Sequence, residues 1–527
     1  MGDLIKKLPV GIQAFEKIRT DNFRYVDKTE YIYRLAHNNV PYFLSRPRRF
    51  GKSLLLSAMK AYWEGKKELF EGLAIEELER DNAEAWKKYP VFYFDFNGAN
   101  YQTEGALEQK ISFMLTGWEK EYDSENQDYA LGERFQQLLV KAKEKTDLRC
   151  VVLVDEYDKP LLDIINNREL QEHNKEVFKG FFSVLKSCDE WIQFIFITGV
   201  TKFHKISIFS DLNQLKDISM DKEYAALCGI TDDEIRKYFE QEVRVLAEYQ
   251  GLSTDECRDN IKQQYDGYHF HPFAEGVYNP FSLLSAFFSK EFGSYWFETG
   301  TPTFLLGKIK ESGFDVQKFT NRTIFANEAT LKDYTGDTLD LVPLLYQTGY
   351  LTISDFEIRR RRYTLCFPND EVKYGFTESL LKYYIPKATS GNGLDIFTLD
   401  EYIENGQVDK IRDVLAGLFA SITYTREEDP FEHYFQSVIY LLVILLGKYV
   451  DCEKQIYDGR IDLCIKTEKF IYLFEFKRDD TAEAALAQID TKDYALPYIA
   501  DERKLYKIGV SFDSRSRKLS GWQVAED

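Results

Sequence analysis

Two carboxylates and a lysine, spaced as the cleavage of a phosphodiester would require, lie near the C-terminal end of the chain. Asp462 is in the first of two short apolar strands that the sequence predicts, and Glu475 and Lys477 are in the second. Because side chains alternate along a strand, Glu475 and Lys477 point to one side, and Asp462 can lie beside them across a hairpin. Two carboxylates can hold Mg²⁺, and the ammonium can orient or polarise a water for attack on phosphorus.

The Glu-x-Lys pattern carries little weight alone, and for the bare tripeptide we favour a cross-strand ion pair on a solvated face. The residues around it change this interpretation. Glu432 begins an apolar helix, with Gln436 one turn further along the same face, and Gln488 lies in a later amphipathic helix.

The order helix-Glu, strand-Asp, strand-Glu-x-Lys, helix-Gln resembles the PD-(D/E)xK nuclease superfamily over residues 425–525. The core of that superfamily is a small mixed sheet flanked by helices. Ile461 stands where the motif has Pro, as in many members. The resemblance implies a metal site of Glu432, Asp462 and Glu475, a catalytic lysine at Lys477 and a supporting catalytic-site residue at Gln488.

A second set of chemical residues lies near the N-terminus. A short strand, 41–44, leads through Ser45-Arg-Pro-Arg-Arg-Phe-Gly-Lys-Ser53 into an apolar helix, which is the context of a phosphate-binding loop. Backbone N–H groups at the helix start would cradle phosphates, Lys52 would reach the β- and γ-phosphates, and Ser53 would ligate Mg²⁺. Arg46 replaces the expected first Gly of the loop, so a chance Gly-Lys-Ser remains an alternative for this segment alone.

Two later strands favour an ATPase. Residues 151–154 form a buried-type strand that ends in Asp155 and Glu156, and residues 194–197 form another that ends at Thr198. Asp155 would hold Mg²⁺ through water, Glu156 would polarise the attacking water, and Thr198 would sense the γ-phosphate. Strands that alternate with helices predict a parallel, doubly wound sheet, whose ligands bind at the strands' C-terminal ends.

The N-terminal part of the chain resembles the bacterial AAA-ATPase-like family, in which a C-terminal PD-(D/E)xK domain is common. The resemblance is carried by the segments described above and by residues 8–12, 25–29, 199–203 and 265–268. In that family the Arg-Pro-Arg-Arg-Phe-Gly-Lys-Ser string replaces the Gly-rich loop. The ATP-binding residues that we predict are Arg46, Arg48, Arg49, Phe50, Gly51, Lys52, Ser53, Asp155 and Thr198.

The fold that follows is α/β and multidomain. We expect a P-loop ATPase of the ASCE type with a parallel sheet over residues 1–205. A helical lid and a winged-helix-like region would follow over 206–425, and a restriction-endonuclease-like α/β domain over 426–527.

The middle region carries fewer chemical signals. Thr231 to Glu234 form a capping box that opens a helix. A hairpin tipped by Arg359–Arg362 could bind DNA, but a solvated charge run is the interpretation that we favour. We favour a role in shaping a loop over a nucleotide contact for the Asp-Gly turn at 265–268. For residues 25–29 we favour capping of a helix over packing near the nucleotide.

Composition limits which partners, metal sites and cellular locations are compatible with the sequence. The net charge of −19 disfavours DNA binding by bulk charge, so nucleic-acid contacts must come from local basic patches. Cysteine and histidine spacing gives no zinc or disulfide pattern, and we find no apolar leader or membrane-length run. We expect a cytoplasmic protein without membrane contact, and the motifs above add ATP and Mg²⁺ as cofactors and nucleic acid as partner. DNA is the nucleic acid that we favour, although no residue of the sequence distinguishes DNA from RNA.

Our first functional hypothesis is an ATP-regulated, Mg²⁺-dependent nuclease, with defence against foreign DNA as a fitting role. The alternatives are a nucleotide-controlled binding switch whose nuclease-like domain grips without cutting, and an ATPase that remodels DNA or a partner. The sequence leaves open whether the chain forms a homo-oligomer.

Overall fold

The computed structural model describes most of the chain, in segments. These are residues 6–38, 40–124, 128–203, 215–298, 303–311, 314, 316–319, 324–332, 341–384, 396–420, 431–447, 449–456, 459–513, 515–516 and 518–526. They group into two compact units, one of residues 1–299 and 323–372, the other of 300–322 and 373–527. The predicted middle region, 206–425, is thus divided between the two units.

A five-stranded parallel sheet is the centre of the first unit. Its strands are β1 (Tyr42–Ser45), β2 (Val91–Asp95), β3 (Cys150–Asp155), β4 (Ile192–Gly199) and β5 (Lys216–Asp217). Their order is β2-β3-β4-β1-β5, and every pairing is parallel, which confirms the predicted sheet. All six residues of β3 are buried, as a strand covered on both faces requires. Since β4 lies between β1 and β3, the ends of all three strands meet at one edge.

Helices cover this sheet. They are α1 (Phe15–Thr20), α2 (Thr29–His37), α3 (Lys52–Trp63), α4 (Ala74–Leu78), α5 (Ala106–Glu121), α6 (Leu131–Thr146), α7 (Lys159–Leu162), α8 (Arg168–Phe182) and α9 (Val184–Ser187), with short 3₁₀ helices at Lys67–Phe70 and Asp189–Trp191. Aromatic rings pack between the sheet and the helices. Phe94 of β2 packs edge-on against Phe135 of α6 and Phe181 of α8.

A helical cluster follows in the same unit. It contains a 3₁₀ helix at Lys222–Tyr224, α10 (Asp232–Tyr238), α11 (Glu240–Gln250), α12 (Thr254–Tyr265), α13 (Pro280–Ser289) and α14 (Tyr295–Glu298). The Thr231 hydroxyl accepts from Glu234 N–H, and the Glu234 carboxylate accepts from Thr231 N–H, which confirms the predicted capping box.

A small antiparallel sheet completes the first unit. Its strands β6 (Ile324–Ala326), β7 (Thr352–Glu357) and β8 (Arg362–Cys366) have the order β6-β8-β7. Between β6 and β7, the described residues include the helices α16 (Glu328–Lys332) and α17 (Leu341–Gln347). The predicted hairpin with arginines at its tip is therefore present.

The second unit contains α15 (Thr303–Glu311), a 3₁₀ helix at Val316–Phe319, most of α18 (Asp370–Tyr384), α19 (Ile396–Glu404), α20 (Val408–Ala420) and α21 (Phe431–Leu445). A mixed sheet follows, made of β9 (Tyr449–Ile456), β10 (Gly459–Lys466), β11 (Phe470–Arg478), β12 (Lys504–Asp513) and β13 (Lys518–Glu526). Helix α22 (Ala482–Thr491) and a 3₁₀ helix at Leu496–Tyr498 connect β11 to β12. The order is β13-β12-β11-β10-β9, with only the β11–β12 pair parallel, which is the small mixed sheet that the sequence predicts. No helix within the described ranges is long and apolar enough to cross a membrane.

Candidate functional site

The loop between β1 and α3 has the form of a phosphate-binding loop. Gly51 has a φ of 90°, a left-handed conformation that glycine adopts without strain, and α3 begins at the next residue. The Lys52 ammonium is buried and donates to the carbonyls of Arg46 (2.9 Å) and Pro47 (3.1 Å). These bonds hold the ammonium against the backbone of the loop.

Arg46 supports the loop from the inside. Its guanidinium is buried, donates to the carbonyls of Ser45 (2.9 Å), Ser219 (2.7 Å) and Tyr224 (3.0 Å), and lies 3.9 Å from the centre of the Phe270 ring. Arg46 is among the predicted ATP-binding residues, and a direct contact between its guanidinium and a phosphate would require these bonds to break. The side chain instead ties the loop to the segment around Ser219.

The other loop residues contact the helical cluster. Arg48 and Arg49 are exposed; the Arg48 carbonyl accepts from Trp296 Nε1 (3.2 Å), and the Arg49 guanidinium lies over the Phe281 ring. They are therefore the loop arginines available to a phosphate.

Phe50 is buried, with its ring 4.7 Å from that of Tyr268 and 5.6 Å from that of Phe270. It anchors the loop by packing. The turn at 265–268 thus presents Tyr268 to the loop through an aromatic contact.

Asp155, at the end of β3, and Thr198, near the end of β4, are hydrogen-bonded to each other. The Asp155 carboxylate is buried and accepts from the Thr198 hydroxyl (2.8 Å) and the Tyr93 hydroxyl (3.1 Å). The following residue, Glu156, has a φ of 50°, which is unusual for a residue with a side chain. Burial raises the pKa of Glu156, while Lys52 opposes that rise, so the carboxyl is a stronger base than one in water.

Asp158 is a residue of this site that our sequence analysis missed. Its buried carboxylate accepts from the backbone N–H groups of Val200 (3.0 Å) and Thr201 (2.6 Å) and from the Thr201 hydroxyl (2.8 Å). The Tyr157 hydroxyl adds a bond to the Thr201 carbonyl. Together these bonds fix the segment after β3, which begins with Glu156, to the residues that follow β4.

In the second unit, Glu475, Lys477 and Gln488 form one hydrogen-bonded group. Lys477 Nζ donates to Gln488 Oε1 (2.6 Å) and Glu475 Oε1 (3.3 Å), and Gln488 Nε2 donates to Glu475 Oε1. Asp462 lies on the neighbouring strand, where its carboxylate accepts from Phe476 N–H (2.9 Å). The structure thus brings together four of the residues that the sequence singles out in this domain.

The second oxygen of Glu475 has the character of a cation ligand. Glu475 is 3% exposed, and its Oε2 has no hydrogen-bond partner among the described residues. Burial, reinforced by the neighbouring Asp462, raises the pKa of Glu475 to about 7. A buried oxygen without a donor beside a second carboxylate fits a divalent cation, which would satisfy both charges.

The rest of the predicted metal site lies outside the described side chains. Those of Glu432 and Gln436 are not among them, and Glu432 stays a prediction as a metal ligand. Within the described part, no group of three or more His, Cys, Asp or Glu residues is arranged to hold a metal.

The close approach of α22 to the sheet depends on Gly509 of β12. Gly509 pairs with Glu475, and a β-carbon on it would lie 2.1 Å from the Ala482 carbonyl and 2.7 Å from Leu486 N. The helix can lie this near only because glycine has no side chain. Its position brings Gln488 within reach of Lys477.

Comparison with known proteins identifies a known family for each of the two domains that contain these residues. Residues 9–209 match the AAA-ATPase-like family, described as "Predicted AAA-ATPase", and residues 430–522 match the PD-(D/E)XK nuclease superfamily. A protein of Azotobacter chroococcum mcd 1, described as "Uncharacterized protein in vnfD 5'region", is 36% identical over 535 residues, which cover 98% of this chain and 99% of that protein. The chain therefore belongs to the family in which an AAA-ATPase-like domain is joined to a C-terminal PD-(D/E)XK nuclease superfamily domain.

Proposed function

We propose that this protein binds and hydrolyses ATP and cleaves DNA in a Mg²⁺-dependent reaction that the ATPase regulates. The observation that carries the proposal is the group formed by Glu475, Lys477 and Gln488 beside Asp462, with one buried Glu475 oxygen left for a cation. A binding protein that never cuts would have no need of this costly arrangement.

At the nuclease site, Asp462 and Glu475 would hold Mg²⁺, with Glu432 as the third ligand. When bound, Mg²⁺ would supply Lewis-acid stabilisation of the phosphoryl oxygens. Lys477, oriented by Gln488, places a positive charge where the scissile phosphate gains negative charge. The Gln488 amide also holds Glu475 in place, so it acts as a positioning residue.

At the ATP site, Lys52, the loop N–H groups and the exposed Arg48 and Arg49 would bind the phosphates, and Gly51 would let the backbone approach them. Arg46 and Phe50 would shape the loop. Ser53 and Asp155 would hold the Mg²⁺ that accompanies ATP. Glu156 would accept a proton from the attacking water, and Thr198 would contact the γ-phosphate.

A protein that acts on ATP and DNA would work in the cytoplasm, and defence against foreign DNA is the role that we propose there. A homo-oligomer is compatible with an AAA-like ATPase. Gel filtration with and without ATP would test that point separately.

The nuclease is tested by incubating linear and plasmid DNA with Mg²⁺ and full-length protein. We expect Lys477→Ala to lower the cleavage rate by about 10²-fold or more, since it removes a charge that acts in the transition state. Lys469→Ala is the matched control, because Lys469 is an exposed lysine at the turn between β10 and β11. If folded wild-type protein cuts no DNA with or without ATP, the proposal is wrong and a nucleotide-controlled binding switch is favoured.

A further inference from the structure

The hairpin of β7 and β8 ends in a tight turn that we call the arginine tip, residues Ile358–Arg361. The Ile358 carbonyl accepts from Arg361 N–H (3.3 Å), and Glu357 and Arg362 form the last pair of the ladder below it. The four residues of the tip are exposed. The side chains of the tip are therefore accessible to a ligand.

The arginines of this run differ in their contacts. Arg360 and Arg362 both pair with Glu357, at 3.2 and 2.9 Å, and the Arg362 guanidinium also lies 4.3 Å from the centre of the Phe325 ring. The side chains of Arg359 and Arg361 have no partner within the described part of the chain. Two of the four charges are thus engaged by the fold, and two are presented to solvent.

Arg361 has a backbone conformation that does not suit it. Its φ is 48°, the left-handed region that glycine and asparagine adopt at this position of a hairpin turn. A sequence selected for the stability of the turn alone would have glycine there. Among the described residues the Arg361 side chain has no contact that would offset this cost, so binding of a ligand is the explanation that we favour for an arginine here.

The net charge of the whole chain indicates which kind of ligand these arginines could bind. With a net charge of −19, most of the surface repels a polyanion, so DNA can be held only where cations are concentrated and unpaired. A guanidinium is the side chain best matched to a phosphate, because its donors form a planar fork.

We propose that the arginine tip binds the phosphate backbone of DNA, with Arg359 and Arg361 as the residues that contact phosphate. This inference rests on the proposed function, because it names the surface by which a DNA-cleaving protein holds its substrate. Arg360 and Arg362 stiffen the hairpin through Glu357 and take a smaller part.

The test measures binding of a labelled DNA duplex to full-length protein in EDTA, which prevents cutting, over a range of salt concentrations. The double variant Arg359→Ser/Arg361→Ser removes two phosphate contacts, so the slope of log affinity against log salt should fall by about 2. Lys17→Ser/Lys67→Ser is the matched control, since it makes the same change in net charge at exposed lysines elsewhere in the first unit. The control slope should stay at the wild-type value.

A second variant distinguishes a loss of DNA binding from a loss of stability of the hairpin. Arg361→Gly relieves the left-handed strain, so it should raise the unfolding temperature by roughly 1 to 3 °C while it lowers the salt slope by about 1. A residue with a merely structural role would lose stability instead of gaining it.

The outcomes separate the two proposals. If wild-type protein binds and cuts DNA but the tip variant keeps the wild-type salt slope, or falls no further than the control, the tip inference is overturned and the proposed function stands. If wild-type protein neither binds nor cuts DNA, both are overturned.

Discussion

At the residue scale, Glu475 is held in two opposite ways. One carboxylate oxygen accepts from Lys477 and Gln488, and the other is buried with no donor among the residues that the structure describes. An ionised carboxylate in this position loses solvation that its hydrogen bonds only partly replace. The metal-free site therefore holds the Glu475 proton more tightly than water does, and a bound cation would oppose that shift by favouring the ionised carboxylate.

This gives a pH prediction. The pKa of Glu475 in the fold, about 7, is above its ordinary value of 4.5, so the folded state binds this proton more tightly than the unfolded state. The free energy of unfolding should then fall as pH rises between those values, by at most ~1.4 kcal/mol per pH unit. Glu475→Gln should remove this fall, as measured by calorimetry in EDTA from about pH 5 to about pH 8.

Two results would count against that account. Parallel pH profiles for wild-type protein and Glu475→Gln would show that the carboxyl is not desolvated. Equal stabilisation of both proteins by Mg²⁺ would show that Glu475 does not bind the metal, since a ligand stabilises only the state that binds it.

A second residue-scale prediction concerns Asp158 as a positioning residue. Asp158→Asn keeps the volume but places an amide N–H₂ where the carboxylate now meets donors from Val200 and Thr201. The end of β4 should shift, and kcat for ATP hydrolysis should fall by about 10- to 100-fold with little change in KM. Asp189→Asn, at an exposed acid before β4, is the control for phosphate-release assays. A rise in KM at unchanged kcat would refute the positioning role.

The residues that could be predicted are those whose chemistry is local in sequence. Glu475 and Lys477 are two positions apart on one strand, and Lys52 follows the Gly that opens a helix. The structural roles of Arg46 and Asp158 could not be predicted in this way, because their partners are more than 40 residues away in the sequence. Arg46 bonds to Ser219 and Tyr224, and Asp158 bonds to Val200 and Thr201.

At the element scale, the nuclease-like site depends on how closely α22 lies on the sheet. Gln488 belongs to the helix and its two partners belong to β11, so the helix position sets their hydrogen bonds. The alternation of strands and helices predicts both elements. It does not predict their separation, which is set by Gly509, a residue that the sequence pattern does not mark as special.

Gly509→Ala tests this dependence. The new β-carbon would meet the Ala482 carbonyl at 2.1 Å, so α22 must move outward, at a cost of about 1 to 3 kcal/mol for overpacking. DNA cleavage should fall because Lys477 loses the Gln488 bond. Gly417→Ala is the control, since a β-carbon there meets nothing within 4 Å. In helix α20 that change should be neutral or stabilising. Unchanged cleavage by folded Gly509→Ala protein would contradict the proposed role of the helix.

At the scale of the whole molecule, the chain carries one candidate site in each compact unit. The ATP-site residues lie in the unit that contains residues 1–299, and the nuclease-like residues lie in the unit that contains residues 373–527. Each site can therefore be disabled by a substitution of its own, Lys52→Ala in the first unit and Lys477→Ala in the second. Regulation of one site by the other requires that nucleotide state change the cleavage rate.

The most direct test of the account measures phosphate release and DNA cleavage on the same samples, with Mg²⁺, without nucleotide, with ATP and with a non-hydrolysable analogue. Wild-type protein should show both activities, Lys52→Ala should lose phosphate release, and Lys477→Ala should lose cleavage alone. The wild-type cleavage rate should differ among the three nucleotide conditions. Equal cleavage rates in all three would contradict ATP regulation, and cleavage by Lys477→Ala at the wild-type rate would contradict the nuclease site itself.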